Sequence, residues 1–148
     1  LQYNMNRNSF QAPVTAVVYK STLMDYIFDG KINIFGKEAE VEREWRVRHI
    51  THLIEELEKN SSIRIFLLEN NNPYIGYDDL QSTIYFCRDT VFAMAVQNGI
   101  SGYYRFFSKK LIDQFNEFYR HIENAGDEYL LRGQKVMDFL RQGLKFIS

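Results

Sequence analysis

Residues 63–122 decide the architecture: IRIFLLEN at 63–70, STIYFCRD at 82–89, TVFAMAV at 90–96, GYYRFF at 102–107, then SKKLIDQFNEFYRHI at 108–122. The first four segments are short runs rich in β-branched and aromatic residues, as strands are. The fifth repeats its apolar residues at helical spacing, so that Leu111, Phe115, Phe118 and Ile122 share one face behind a Ser108 cap. Arg88-Asp89 suits a tight connection, and Asn98-Gly99 is a hairpin signal because both residues accept positive φ. A three-strand antiparallel meander feeding an amphipathic helix is therefore expected here.

Upstream, VTAVVYK at 14–20 has the composition of a strand, and Pro13 at its entrance removes no ladder hydrogen bond. STLMDYIFDG at 21–30 reads either as a short helix capped by Ser21 and ending at Gly30, or as an extended edge. KINIF at 31–35 alternates and closes at Gly36, which predicts a strand. Residues 38–59 predict a long helix with acidic first turns and with Val47, Ile50, Leu53, Ile54 and Leu57 on the face that meets the sheet. IRIFLL reads as a buried strand, and ENNNPYIGYDDL at 69–80 as a loop over one edge or mouth of the sheet. After Gly126, Asp127 is expected to open a last helix with Tyr129, Gly133, Val136, Met137, Leu140, Leu144 and Ile147 on one side. The fold expected is α+β: a mainly antiparallel sheet of five or six strands, with one long central helix and two C-terminal helices packed on it.

Residues 1–12 are polar and Asn-rich and read as a tail or linker, which leaves 13–148 as a single domain. The 18 basic and 19 acidic residues give a net charge of -1, so no clustered cation face is expected to contact nucleic acid directly. Cys87 is the only cysteine, so an intramolecular disulfide is impossible and a reducing, cytoplasmic setting is expected. Apolar runs such as VFAMAV are far shorter than the ~18 residues of a membrane-spanning helix. LQYNMNRNSFQAP lacks the apolar centre of a signal peptide, and a start at Leu1 rather than Met is read as a piece of a longer polypeptide.

Three groups of residues invite a chemical reading. His49 and His52 lie one helical turn apart with Glu56 on the same face, a set able to offer nitrogen and carboxylate to a metal, yet the i, i+4 histidine order of zinc proteases is missing. Cys87 has no adjacent base and reads as a small buried thiol. Asp78 and Asp79, with Glu69, lack the ligand order of an EF-hand and read as a solvated acidic turn. There is no nucleophile elbow and no phosphate-cradling Gly-rich loop. No catalytic residue, metal or cofactor is assigned.

Two features remain. Val41, Trp45, His49, His52 and Glu56 form a second stripe on the 38–59 helix, and Phe139 and Phe146 project from the main apolar face of the last helix. Val41, Trp45, His49, His52, Phe139 and Phe146 are accordingly candidate interface residues, with a homodimer as the expected assembly. Aromatics crowd the sheet region, with Tyr74, Tyr77, Tyr85, Phe86, Phe92, Tyr103, Tyr104, Phe106 and Phe107, and of these Tyr85, Phe86, Phe92, Tyr104 and Phe106 are candidates to line a cavity for a small apolar effector.

The run STIYFCRDTVFAMAVQNGISGYYRFFSKKLIDQFNEFYRHI, with the helix and IRIFLLEN before it, resembles the C-terminal effector domains of bacterial helix-turn-helix transcription regulators. Some of those are similar to degenerate phospholipase-D halves and others to GAF or PAS sensors, and the resemblance spans about two thirds of the chain by element order. A working phospholipase-D half needs His-x-Lys, and none of His49, His52 or His121 has Lys two residues on. The resemblance implies a non-catalytic, cytoplasmic regulatory domain that senses a ligand, pairs subunits, or both. The alternatives are an enzyme of another type using His49, His52 and nearby carboxylates, and a structural adaptor.

Overall fold

A computed structural model describes residues 14–34, 37–74, 83–87, 90–97, 100–106 and 109–148. The chain runs β1 (Val14–Tyr19), α1 (Lys20–Met24), a π-helical turn (Asp25–Asp29), β2 (Lys31–Ile34), β3 (Lys37–Glu40), α2 (Arg43–Lys59) and β4 (Ile63–Leu68). It continues β5 (Thr83–Cys87), β6 (Thr90–Gln97), β7 (Ile100–Phe106), α3 (Lys109–Glu123), β8 (Leu130–Leu131) and α4 (Gln134–Ile147).

The pairing of β1 with β4 organises everything else. The two strands are parallel, in register from Val14 opposite Ile63 to Tyr19 opposite Leu68. Parallel neighbours need a long crossover, and residues 20–62 supply it with α1, the π-helical turn, β2, β3 and α2. β8 is added antiparallel on the far side of β4, Leu68 opposite Leu130. From the other edge of β1 the backbone pairing continues antiparallel through β5, β6 and β7.

Strand alternation sends β1 and β4 into two separate cores. On one face, Val17, Tyr19, Phe66, Leu68 and Leu130 pack against Tyr119, Ile122 and Ala125 at the end of α3. On the other, Val18, Ile65, Leu67 and Leu131 meet Ile50 and Ile54 of α2, Val136, Leu140 and Ile147 of α4, and Ile27 of the π-helical turn. The sheet is thus sandwiched between helices. α2 and α4 lie side by side in antiparallel sense, with the Arg43 guanidinium donating to the Ile147 carbonyl at one end and Arg141 pairing with Glu58 at 2.5 Å towards the other. Close approach on this face needs Gly143, where a Cβ would stand 3.0 Å from Ile27 Cγ2.

Several expectations are corrected. The expected single, mainly antiparallel sheet of five or six strands backed by three helices is corrected: the strand order β7-β6-β5-β1-β4-β8 has the parallel pair β1 and β4 within it. The part of the sheet with described side chains is three strands, β1, β4 and β8, with a parallel pair in it, and β2 and β3 make a separate two-stranded sheet. Among the described residues there are four helices and the π-helical turn. Residues 38–40, expected in the first turn of the long helix, instead pair with 31–33, because KINI offers them a partner strand with Lys31 facing Glu40. α2 therefore begins at Arg43, with Glu44 in its first turn. Of the two readings for 21–30, the helical one holds. Gly30 ends that helical segment at φ 70°, but Ser21 is not the cap, its hydroxyl bonding to Asn70 instead. Residues 127–133 do not open the last helix, since Leu130 and Leu131 are taken by β4 and Gly133, at φ 55°, precedes Gln134. Residues 1–13, Gly36, Arg88-Asp89, Asn98-Gly99 and Ser108 lie outside the described residues.

Candidate functional site

Two places on the described surface gather side chains that packing alone does not require. The first is a groove at the carboxyl ends of β1 and β4. Because these neighbours run in the same direction, the segments that leave them emerge side by side and leave a crevice, the usual position of a ligand site in sheets with parallel strands. Lys20 follows β1 and Glu69 follows β4, and Lys20 Nζ stands 2.7 Å from Glu69 Oε1 with each side chain about one-third exposed. The Ser21 hydroxyl donates to Asn70 Oδ1 at 2.8 Å. Met24, Asn71 and Glu128 complete a lining around about 340 Å³ of space.

The groove's floor is rigid. The Glu69 amide donates to the Tyr129 carbonyl at 2.9 Å, which brings Glu128 alongside. Asn72 is buried, donates through Nδ2 to the Glu69 carbonyl at 2.7 Å and accepts the Tyr74 amide on Oδ1 at 2.9 Å. That asparagine turn fixes the backbone carrying Glu69 and Asn70.

The second place is the outer surface of α2, α4 and the π-helical turn. Trp45 is 63% exposed, its ring under the Arg48 guanidinium at 5.6 Å, and His52 is exposed beyond it. Phe146 is 72% exposed and meets Phe28 edge to face at 4.9 Å. His49 is engaged from the side: its Nδ1 is 2.7 Å from the Tyr26 hydroxyl and the two rings meet edge to face. In the neutral imidazole Tyr26 donates to Nδ1, which leaves the ring proton on Nε2.

Burial against this neighbour, and then the charge of His52, hold the His49 pKa below the ordinary histidine value of 6.5. The sign of its effect on stability follows. The unfolded chain takes up the proton more readily than the native one, so this contribution is complete above the unfolded pKa and declines as pH falls below about 6.5. Urea unfolding is expected to show a lower midpoint at pH 5.5 than at pH 8, and His49→Gln should flatten that dependence. An unchanged pH profile in the variant would remove His49 as its cause.

The candidate residues distribute as follows. Trp45, His49 and His52 lie on α2, but Val41 precedes the helix and donates its amide to the Gly30 carbonyl at 2.8 Å, so the expected stripe is shorter by that residue. Phe139 is half-buried on the core between α4 and the sheet, unlike Phe146. Tyr85, Phe86, Phe92, Tyr104 and Phe106 occupy β5, β6 and β7. By register, 85 pairs with 92, whereas 86 and 106 both pair with 91 and 104 pairs with 93. Their side chains, like that of Cys87, lie outside what the structure describes, as do residues Asp78 and Asp79. Glu69 pairs through Oε1 with Lys20.

Among the described residues no three His, Cys, Asp or Glu side chains gather as a metal site, and no helix is long and apolar enough to cross a membrane. No protein-family model matches the chain, and neither a curated protein nor a solved structure matches it. The groove escaped the sequence reading because Lys20, Glu69 and Glu128 are far apart in the chain. The usable signal was the long stretch between two strand-like segments, which permits parallel pairing.

Proposed function

We propose that this chain is a non-catalytic regulatory domain of a cytoplasmic bacterial transcription regulator, and that it acts as a pair of identical copies. The observation that carries the reading is Phe146. A phenylalanine with most of its surface in water costs stability, and beside it Phe28 offers a second ring at 4.9 Å, so the two form an apolar anchor that a second copy can cover. Trp45 adds a large exposed ring on α2. The resemblance in element order to effector domains of paired regulators supplies the choice of partner, since dimers address paired DNA half-sites. DNA contact belongs to another segment in this reading, in keeping with the net charge of -1.

Sedimentation at micromolar concentration is expected to give a dimer, and Phe146→Asp to shift it to monomer while thermal unfolding stays within a few degrees of the parent. Phe139→Asp is the contrasting variant: it would place a carboxylate against the core beneath α4 and lower the stability of the domain, whatever its assembly. A monomer in the unmodified protein would refute the pairing. The enzyme reading built on His49 and His52 gains nothing from the geometry, since Tyr26 already holds His49 Nδ1.

A further inference from the structure

We propose that the groove at the carboxyl ends of β1 and β4 binds the zwitterionic head of a free α-amino acid. The inference stands on the groove alone and is independent of the pairing proposed above.

The charge pattern selects the ligand. Lys20 Nζ and Glu69 Oε1 present opposite charges 2.7 Å apart, both about one-third exposed. In an α-amino acid the ammonium and carboxylate are joined through one carbon, which gives a closely similar spacing. Laid head to tail against the pair, the ligand's carboxylate meets Lys20 and its ammonium meets Glu69. Each of the four charges then has two opposite neighbours, and charge-assisted hydrogen bonds of this kind are the stronger ones. A simple anion would face Glu69 and Glu128 as well as Lys20, and a simple cation would face Lys20, so ligands of one sign are disfavoured.

The remaining lining fits the same molecule. Glu128 adds a second carboxylate for the ammonium. The Asn70 and Asn71 amide nitrogens offer hydrogen bonds to the carboxylate oxygens, and the Ser21 hydroxyl, donating to Asn70 Oδ1, orients the first of these amides. Met24, 39% exposed, supplies a deformable apolar wall for the ligand's side chain. About 340 Å³ is near the lower end of small-molecule sites, the size of one amino acid rather than a drug-sized effector. The Asn72 turn and the Glu69–Tyr129 bond hold the acidic side of the site in place before a ligand arrives, which lowers the ordering cost of binding. A polar effector of this kind departs from the apolar one that the aromatic content suggested.

The test is titration of the full chain with each proteinogenic amino acid at millimolar concentration, read by calorimetry and by thermal unfolding. N-acetylated and decarboxylated forms of any binder serve as controls, because each removes one charge of the head. At least one amino acid is expected to bind and raise the melting temperature, and both blocked forms to bind roughly tenfold or more weakly. Lys20→Met and Glu69→Gln should each abolish the shift. Glu128→Gln, on an exposed turn, should weaken binding by a smaller factor and covers the case in which the other two variants fold poorly. The proposal is overturned if no amino acid binds, if a blocked form binds as well as the parent, or if affinity is unchanged in both Lys20→Met and Glu128→Gln. Sedimentation on the same samples separates this result from the assembly question, since a monomer that binds would remove the pairing and keep the groove.

Discussion

Leu67→Ala and Leu68→Ala are each expected to lower stability by about 2–5 kcal/mol, the largest single-site effects anticipated in the domain. Both side chains are 0% exposed, yet they belong to different cores. Leu67 packs with Ile50, Ile54, Val136 and Leu140 beneath α2 and α4, and Leu68 with Tyr119, Ile122 and Leu130 beneath α3. Each truncation removes buried methyl groups and leaves a cavity that its own helices only partly close. Since the cavities lie on opposite sides of the sheet, the double variant should lose nearly the sum of the two, with a coupling well below that of residues in contact. Urea denaturation of the four proteins measures this. A double variant hardly worse than either single would show that the two leucines share one core.

Gly30→Ala is the second substitution expected to weaken the fold strongly, by about 1–3 kcal/mol. The residue has φ 70°, a left-handed conformation that a Cβ disfavours, and that Cβ would stand 2.7 Å from the Val41 carbonyl oxygen. Relief by movement is blocked on both sides. Gly30 donates to the Tyr26 carbonyl and accepts the Val41 amide, while Arg46 nearby donates to the Ile27 carbonyl at 2.5 Å. The π-helical turn, the start of α2 and the Ile27 plug in the core are therefore tied through this one residue. Gly126→Ala is the control: its Cβ would meet nothing nearer than the Glu128 side chain at 3.6 Å, and its φ is not in the left-handed range. Equal loss of melting temperature in the two variants would mean that backbone strain at Gly30 is not the cause.

The groove and the exposed aromatics differ in how they relate to the sequence. Trp45 and Phe146 could be picked out from helical spacing, because a helix face is set by residues three or four apart. Phe139, at the same angular position one heptad earlier, could not be told from Phe146, since only the partner layer determines which of them is covered. Lys20, Glu69 and Glu128 carry no local pattern at all.

By itself the sequence determined what is governed by neighbours in the chain. The strand character of 14–19 and 63–68 and the apolar face of α2 running through Val47, Ile50, Leu53, Ile54 and Leu57 follow from composition and periodicity. Tertiary structure alone decided which strands met and in which direction. VTAVVY could have paired antiparallel with either neighbour. It lies parallel to IRIFLL because the helices of the crossover bury Ile27, Ile50 and Ile54 on one face while α3 closes the other. The same competition drew 38–40 out of the long helix and into a pair with 31–33, and drew 130–131 out of the last helix to the edge of β4. In each case the hydrogen bonds offered by a partner strand outweighed a helical preference worth only tenths of a kcal/mol per residue.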